Sequence, residues 1–485
     1  MINKPNKNSQ PMIMVVLATS ILFCVSQINT SIKVGGAEAK KVDILSDILL
    51  KEKAKKVPLP EMILSETKMN EILSKENKEI AIHQMDLSNI DNTKTDTATA
   101  LSHFFYSLNE LKQHKRKVRI AYFGDSMIEG DLITQDLREC MQDTFGGWGV
   151  GYVPITSVVS GFRTSVLHTF GGWTTYNLVS ATPGNHKLGI SGYCFVPNTY
   201  TAVDTTNNTS GSWVKYATVN RKHIDKFYET KLLYGKSEGE NYVVINGKHY
   251  KLNEKNAVNE LLINSGNGGR SINASFQCES PVDIFGFSME CDSGVIVDNF
   301  SFRGNSGMPI TKVNQNVYSQ TNNYLNYDLI ILEYGLNVVS PEVTDFSWYE
   351  SGMTNTIKHI QQSFPGVSIL LVSVGDKSYR KNGVYETDPS VPLLVKAQKR
   401  MAKANKVAFW SLYDAMGGSG SMVKWVQGDT TLANPDYTHF NYKGAHKVGK
   451  LLYSKLMCQY VDYNKKEKHK LNVVASNSLG TVLNK

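Results

Sequence analysis

Apolar runs of strand length recur along the chain and are separated by stretches with helical periodicity. The runs are Val118–Phe123, Leu329–Leu332, Val367–Val372 and Val407–Leu412. Helical periodicity fills 347–363 and 391–405 between the later runs, and a last helix is expected from Tyr442 to about Met457. This alternation predicts an α/β domain in which helices cover both faces of a parallel sheet.

The pattern changes between residues 155 and 300, where helical periodicity fades. Segments rich in Val, Ile, Tyr and Phe are separated there by turn residues: Ser212–Val219, Phe227–Tyr234, Tyr242–Ile245, Ser271–Gln277 and Val282–Met289. Asn246-Gly247 is a dipeptide typical of a tight hairpin turn. These features predict a β-sandwich inserted into the α/β domain.

A chain of 485 residues exceeds one ordinary hydrophobic core, so two domains with appendages are expected. The predicted segments are a signal peptide or N-terminal anchor at 1–39, a helical and linker segment at 40–100, the first part of the α/β domain at 101–154, the inserted β-sandwich at 155–300, the second part of the α/β domain at 301–463, and a tail at 464–485. The tail is expected to be poorly ordered.

The N-terminal segment has the pattern of an export signal. Lys4 and Lys7 precede an apolar stretch from Met12 to Val25, and Ala37-Glu38-Ala39 offers a cleavage site. The stretch is short for a membrane span, although an uncleaved anchor is the alternative. The sequence therefore predicts an exported protein, periplasmic or extracellular, with no stable membrane span beyond a possible N-terminal anchor.

Composition excludes some classes of function. The net charge of +8 is spread along the chain, and its basic runs lie in no recognisable nucleic-acid-binding motif, so no nucleic-acid partner is expected. No Cys-x-x-Cys and no His/Cys cluster with metal spacing is visible, so neither a metal nor a cofactor is predicted. Cys278 and Cys291 are candidates for a disulfide across neighbouring strands, and buried free thiols are the alternative.

Candidate chemistry lies where apolar runs end. Ser126 follows the first run in a Gly-Asp-Ser turn, before a helix-like pattern, and Asn337 follows the second run in Gly335-Leu336-Asn337. Asp436 and His439 lie far downstream, three residues apart. Taken singly, these residues are turn and helix-cap residues. Together they supply acyl-transfer chemistry, with Ser126 as nucleophile, His439 as base and Asp436 as the group that orients the imidazole.

This ordered set resembles the SGNH, or GDSL-type, hydrolase superfamily over residues 115–160 and 295–460. The resemblance implies a flavodoxin-like, three-layer α/β domain. It also implies an oxyanion hole formed by the Ser126 N–H, the Asn337 amide and a glycine N–H in 301–307, for which Gly307 is the candidate while Gly304 shapes the turn. The chain departs from the family pattern at Val338, where the family has Asp, and it lacks the family's Asn before the first glycine.

A narrower resemblance is to the peptidoglycan O-acetylesterases of that superfamily. Three features carry this resemblance. The first is Gly130-Asp131, followed by the glycine-rich stretch around Trp148. The second is the β-rich insert, and the third is the segment that leads from Phe285 into the glycine-containing stretch 301–307. It implies an exported serine esterase that removes O-acetyl or other small acyl groups from a cell-wall or extracellular glycan, with peptidoglycan favoured, and an insert that resembles a carbohydrate-binding module. Trp148, Trp173 and Trp213 are candidates for substrate binding, with core packing as the alternative.

Two other functions remain open on the sequence. A glycan O-acyltransferase would use the same triad and the same acyl-enzyme. A glycan-binding protein with a vestigial site is the third reading. The expected partner is an acylated glycan substrate.

Overall fold

The computed structural model describes residues 33–34, 37–38, 97–180, 182–198 and 211–482. The chain divides into two compact units, Met1–Asn92 and Thr93–Lys485. In the first unit, β1 (Lys33–Val34) pairs antiparallel with β2 (Ala37–Glu38). The rest of the predicted export segment, and most of the helical and linker segment at 40–100, lie outside the described residues.

The second unit contains all the remaining elements. Its strands are β3 Lys117–Gly124, β4 Gly151–Val153, β5 Leu167–Gly171, β6 Trp173–Asn177, β7 Tyr193–Pro197, β8 Ser212–Ala217, β9 Phe227–Tyr234, β10 Asn241–Ile245, β11 Lys248–Lys251, β12 Asn259–Gly269, β13 Ser271–Cys278, β14 Ile284–Glu290, β15 Gly294–Ser301, β16 Tyr327–Glu333, β17 Ser368–Val372, β18 Ser378–Lys381, β19 Val384–Thr387 and β20 Ala408–Trp410. Its α-helices are α1 Thr97–Ala100, α2 Ser102–Gln113, α3 Thr134–Phe145, α4 Gln315–Leu325, α5 Ser347–Ser363, α6 Ser390–Ala404, α7 Leu412–Met416, α8 Ser421–Gln427 and α9 Tyr442–Val482. Short 3₁₀ turns lie at Glu129–Asp131, Met308–Lys312 and Leu336–Val338.

A parallel sheet of five strands, in the order β15-β3-β16-β17-β20, forms the centre of this unit. Counted along the chain, this is the 2-1-3-4-5 order of flavodoxin-like sheets. Every residue of β16 and β17 is buried, as expected when both faces of a sheet are covered. The four apolar runs correspond to β3, β16, β17 and β20, which confirms the predicted α/β domain with a parallel sheet.

Two antiparallel sheets lie between β3 and β15 in sequence. One has the order β11-β10-β13-β8-β5, and the other has the order β12-β9-β14-β7-β6 with β4 added beside β14. Apolar side chains of both sheets contribute to one hydrophobic core, for example Val214 and Phe276 from the first and Leu232 and Phe287 from the second. A further pair, β18 and β19, forms a separate hairpin.

A buried ionic network joins the parallel sheet to the neighbouring antiparallel sheet. Arg119 of β3 is fully buried, and its guanidinium donates to Asp298 of β15 at 2.7 Å and to Ser288 of β14 at 2.6 Å, and pairs with Glu290 of β14. Burial opposes the charge on Arg119, but the two carboxylates outweigh it and raise its pKa. Because a buried charge is costly without a partner, these contacts fix β14 against β3.

The segment after Ser126 and the C-terminal tail differ from the prediction. A helix was expected directly after Ser126, but α3 begins only at Thr134, because Gly130, Asp131 and Ile133 have positive φ angles that interrupt helical geometry. At the other end, α9 continues to Val482 instead of ending near Met457. Tyr460 and Tyr463 of α9 pack against Phe105 of α2, which holds the helix beyond its predicted end.

No helix among the described residues is long and apolar enough to span a bilayer. The cysteines of the second unit are free thiols. Cys278 and Cys291 are both buried and are not joined by a disulfide. The Cys291 thiol instead accepts the Trp148 N–H at 3.0 Å and donates to the Ser293 carbonyl at 2.7 Å. Cys458 is exposed, which differs from the alternative of buried thiols throughout.

Candidate active site

The loops that follow three neighbouring strands meet at one edge of the parallel sheet. Gly124, the last residue of β3, is in register with Ser301 at the end of β15 and with Glu333 at the end of β16. A Cβ atom at Gly124 would lie 2.9 Å from Ile128 Cδ1 and 3.2 Å from the Glu333 carbonyl oxygen, so the close approach favours glycine. Ser126 therefore lies in a tight turn at the carboxyl edge of the sheet.

Ser126, His439 and Asp436 form a continuous chain of hydrogen bonds. Ser126 Oγ lies 2.9 Å from His439 Nε2, and His439 Nδ1 lies 2.8 Å from Asp436 Oδ2. The other carboxylate oxygen, Oδ1, accepts the backbone N–H groups of Thr438 at 2.9 Å and His439 at 3.0 Å. This is the geometry that a serine nucleophile, a histidine base and an orienting aspartate require.

The electrostatics of Asp436 define the protonation of this chain. Partial burial opposes its ionisation, but the hydrogen bonds from His439 and Thr438 outweigh that effect and hold the pKa of Asp436 below its usual range. An ionised carboxylate only accepts hydrogen bonds, so His439 carries its proton on Nδ1. In the neutral imidazole, the lone pair of Nε2 then faces the Ser126 hydroxyl.

His439 is held by the turn that precedes α9. Its carbonyl accepts the Asn434 N–H at 2.8 Å. Tyr437, within the turn, has a positive φ of 54°, and its ring stacks on Tyr385 with centroids 3.6 Å apart. The Tyr437 hydroxyl also accepts from Gln427 Nε2 at 2.8 Å. Contacts from the β18–β19 hairpin and α8 thus position the turn that carries His439, and none of them was visible in the sequence.

Asn337 lies at the site, but its amide group is engaged by protein atoms. Asn337 Nδ2 donates to Asp125 Oδ2 at 2.9 Å and to the Asn305 carbonyl at 3.1 Å. Asp125 is buried and also accepts the Met127 N–H at 3.0 Å. Burial raises the pKa of Asp125 to about 7, although these hydrogen bonds oppose the rise. The Asn337 amide therefore already donates to Asp125 and to the Asn305 carbonyl. To bind an oxyanion, it would have to share one of these hydrogens.

The two glycines of the predicted oxyanion loop, Gly304 and Gly307, have different surroundings. The Gly307 N–H donates to Asn305 Oδ1 at 2.8 Å, so it is directed into the loop. Gly304 instead lines the pocket that contains Ser126. Among the described residues, the N–H groups of Ser126 and Gly304 have no hydrogen-bond acceptor. Gly304 therefore lies at the pocket, whereas the Gly307 N–H is engaged within the loop.

A cavity of about 360 Å³ opens above Ser126. It is lined by Ser126, Met127, Glu129, Leu132, Phe162, Arg303, Gly304, Asn337, Asn434, His439 and Phe440. Phe162 comes from the segment before β5, and its ring packs against Tyr442 of α9 at 5.3 Å between centroids. Phe162 and the pair formed by Arg303 and Glu129 are not recognisable in the sequence, because no motif marks residues that reach the pocket through tertiary packing.

The three predicted substrate-binding tryptophans do not line this cavity. The Trp148 ring packs against His223 and Tyr228, at 5.1 and 6.5 Å between centroids. Trp173 packs edge-on against Phe276 and donates its indole N–H to the Trp213 carbonyl at 2.9 Å. Trp173 thus belongs to the packing of the antiparallel sheets, which was the alternative reading for these side chains.

One cluster of metal-ligand types was also missed. His186, Cys194 and Asp283 offer ligand atoms within 4.8 Å of one another, beside the antiparallel sheets. Asp283 accepts from His186 Nδ1 at 2.6 Å and from the Lys187 N–H at 2.8 Å. These contacts satisfy the carboxylate within the chain.

Fold and site together define an α/β protein with a flavodoxin-like sheet and a Ser-His-Asp arrangement at its carboxyl edge. No protein-family model and no curated protein matches the chain. A solved structure described as "Peptidoglycan O-acetylesterase in action, 5 min" is similar to it, with a TM-score of 0.61 and 22% identity over 74% of this chain and 96% of that one. This similarity shows a shared fold.

Two further solved structures are similar over smaller parts of the chain. A family two carbohydrate esterase from Clostridium thermocellum in complex with cellohexaose has a TM-score of 0.25 and 12% identity over 52% of this chain and 93% of that one. The periplasmic domain of a lipopolysaccharide acetyltransferase from Salmonella ser. Paratyphi A has a TM-score of 0.26 and 13% identity over 34% of this chain and 74% of that one.

Proposed function

We propose that this protein is an exported serine esterase that removes O-acetyl groups, or other small acyl groups, from an extracytoplasmic glycan. The observation that carries the proposal is the 2.9 Å contact between Ser126 Oγ and His439 Nε2, with Asp436 behind the imidazole. Peptidoglycan is the favoured polymer because the O-acetylesterase structure described above shares the fold. The export signal predicted at 1–39 supports an extracytoplasmic substrate.

The reaction follows from the positions of these groups. Ser126 Oγ attacks the acyl carbonyl while His439 Nε2 takes its proton. The N–H groups of Ser126 and Gly304, which have no acceptor of their own among the described residues, stabilise the developing oxyanion. Collapse of the intermediate breaks the ester bond, and His439 returns the proton to the departing sugar hydroxyl. Water then attacks the acyl-serine by the same route and releases acetate.

The antiparallel sheets are proposed to form an inserted β-sandwich that resembles a carbohydrate-binding module. Their shared hydrophobic core supports the sandwich. Phe162, which belongs to the predicted insert, lines the catalytic cavity and supports a role for the insert beside the substrate. In this proposal, the insert contributes one wall of the groove through Phe162 rather than through the three tryptophans.

The test is a serine-directed phosphonate combined with measurement of acetate release. Mass spectrometry of the treated protein should find a single adduct on Ser126, and the Ser126→Ala protein should not be labelled. Purified O-acetylated peptidoglycan should release free acetate. A protein that is not labelled would have a vestigial site, and transfer of acetate to a sugar hydroxyl without release into water would identify an acyltransferase.

A further inference from the structure

His186, Cys194 and Asp283 bring three kinds of metal-ligand atom together outside the catalytic cavity. A ring nitrogen, the thiol sulfur and a carboxylate oxygen all lie within 4.8 Å of one another. His186 belongs to the segment before β7, Cys194 to β7 itself, and Asp283 directly precedes β14. Because these segments are far apart in sequence, it is the fold that brings the three side chains together.

The carboxylate of this cluster has no cationic side chain to balance its charge. Asp283 accepts from His186 Nδ1 at 2.6 Å and from the Lys187 N–H at 2.8 Å, so its oxygens are hydrogen-bonded. In the part of the chain that the structure describes, however, no lysine or arginine side chain forms an ion pair with it. The Asp283 side chain is only 12% exposed, and a carboxylate removed from water is costly without a counter-charge. A bound cation would supply that charge.

Neighbouring groups hold the three side chains in place. Cys194 is fully buried in β7. Tyr176 lies opposite Cys194 on β6, and its ring stacks on the His186 imidazole with centroids 5.1 Å apart. The Lys187 N–H holds Asp283 Oδ2, while Oδ1 contacts His186. Contacts of this kind orient the ligands of protein metal sites.

The ligand types and their spacing favour zinc. Zinc binds imidazole nitrogen, thiolate sulfur and carboxylate oxygen, whereas calcium and magnesium prefer oxygen alone. Bond lengths of about 2.0–2.3 Å in a tetrahedral site place neighbouring ligand atoms about 3.3–3.7 Å apart. The observed separations run from 2.6 Å, between His186 Nδ1 and Asp283 Oδ1, to at most 4.8 Å. They bracket the required spacing, so side-chain shifts of about 1 Å would complete the coordination.

A cavity beside the cluster gives an ion and a water molecule access. It has a volume of about 380 Å³, and its lining includes His186, Ser180 and Thr182. Water can therefore take the fourth position of a tetrahedral ion that has three protein ligands. His186, Cys194 and Asp283 do not line the catalytic cavity, so an ion bound by them would stabilise the fold without touching the reacting acyl group.

We propose that His186, Cys194 and Asp283 bind one zinc ion, which ties the segment before β7 to β7 and to the start of β14. On binding, Cys194 releases its thiol proton to solvent and coordinates as the thiolate. The proton on His186 Nδ1 moves to Nε2, so that Nδ1 and Asp283 Oδ1 each bind the ion while Oδ2 keeps the Lys187 N–H. One thiolate and one carboxylate then neutralise the divalent ion. This inference does not depend on the proposed function.

The experiment uses the full chain, purified under reducing conditions and freed of metal with a chelator, and it uses Co²⁺ as a spectroscopic probe for the zinc site. Cobalt bound by a thiolate gives a sulfur-to-metal charge-transfer band in the near ultraviolet, which nitrogen and oxygen ligands alone do not give. One equivalent of Co²⁺ should produce this band, and one equivalent of Zn²⁺ should remove it. Zn²⁺ should also raise the melting temperature, because an ion that binds only the folded state stabilises it.

Cys194→Ser should abolish the cobalt band and the rise in melting temperature. The matched control is Cys278→Ser, which changes another buried thiol of the antiparallel sheets and should keep both effects. If Cys194→Ser does not fold, His186→Ala replaces it and should weaken zinc binding about tenfold or more, because losing even a group that only orients a ligand costs that much. Absence of the band, or a band that survives Cys194→Ser, overturns the proposal. A band that disappears in Cys458→Ser, at the exposed thiol, also overturns it.

Discussion

Replacing Glu333 by Gln is expected to flatten the dependence of stability on pH. Glu333 ends β16 in register with Gly124 and is buried, and its carboxyl group accepts a hydrogen bond from the Tyr122 hydroxyl at 2.5 Å. Burial raises the pKa of Glu333 to about 8, the Tyr122 hydrogen bond opposes the rise, and the charge on Asp125 adds to it. The side chain is therefore protonated in the folded protein at neutral pH and ionised in the unfolded chain.

The sign and size of the effect follow from this difference. Because the folded state binds a proton that the unfolded state releases, the stabilising contribution is fully present below the unfolded pKa and is lost as pH rises through the folded pKa. Each pH unit within this window lowers the unfolding free energy by about 1.4 kcal/mol. Between pH 5 and pH 8, the loss attributable to Glu333 is about 4 kcal/mol, taking its folded pKa of about 8.

Urea unfolding at pH 5, 6, 7 and 8, followed by tryptophan fluorescence, measures this slope. Glu333→Gln keeps the shape of the side chain and an acceptor for Tyr122. Between pH 5 and pH 8, the unfolding free energy of the variant should therefore fall by about 4 kcal/mol less than that of the wild type. Asp125, whose pKa burial raises to about 7, should account for part of the slope that remains. Glu342→Gln, at an exposed carboxylate, is the control and should behave as the wild type. A Glu333→Gln variant with the wild-type slope would show that Glu333 is ionised in the folded protein.

Further predictions concern the site. Ser126→Ala and His439→Ala should each abolish hydrolysis of a small chromogenic acetate without a change in melting temperature, and retention of more than a few per cent of the activity by Ser126→Ala would refute the nucleophile. Asn337→Ala should lower kcat by much less than the roughly 100- to 1000-fold cost of losing one oxyanion donor, because its amide is held by Asp125 and Asn305, and a loss of that full size would show that the amide reaches the oxyanion. The rate should rise with pH over the range in which imidazole groups lose their proton, and a flat profile from pH 5 to 8 would argue against a histidine base. Phe162→Ala should lose activity on acetylated polymer while it keeps activity on the small acetate, whereas Trp213→Ala should affect neither; equal losses on both substrates for Phe162→Ala would show that its ring only supports the fold. EDTA should leave the rate unchanged, and inhibition that zinc reverses would contradict the mechanism.

The parallel sheet was predictable because its signal is local. A strand buried on both faces must be apolar at nearly every position, and the runs in β3, β16 and β17 satisfy this without reference to distant residues. Ser126 and Asn337 were recognisable for the same reason, since each follows such a run directly. By contrast, β12 escaped prediction because its Gly and Asn residues give no strand-like composition, although it pairs with β9.

The parts of the site that were missed depend on single hydrogen bonds. The choice between Gly304 and Gly307 rests on the Asn305 side chain, which turns back to accept the Gly307 N–H. The helix expected after Ser126 is delayed because Asp131 turns inward to bind Arg138 and Thr134. No periodicity or composition records where a particular side chain turns, so these features require the structure.

The position of β3 between β15 and β16 has a consequence for synthesis on the ribosome. Both of its partners lie much later in the chain, beyond the strands of the two antiparallel sheets. Those sheets contain only strands from β4 to β14. Their strands can therefore pair completely while both edges of β3 are still without a partner strand. An unpaired apolar strand is prone to aggregate. A nascent chain that stalls before β15 emerges would therefore carry a finished β-rich region and an unpaired β3, and the Ser126–His439 contact can form only after residue 439 has been made.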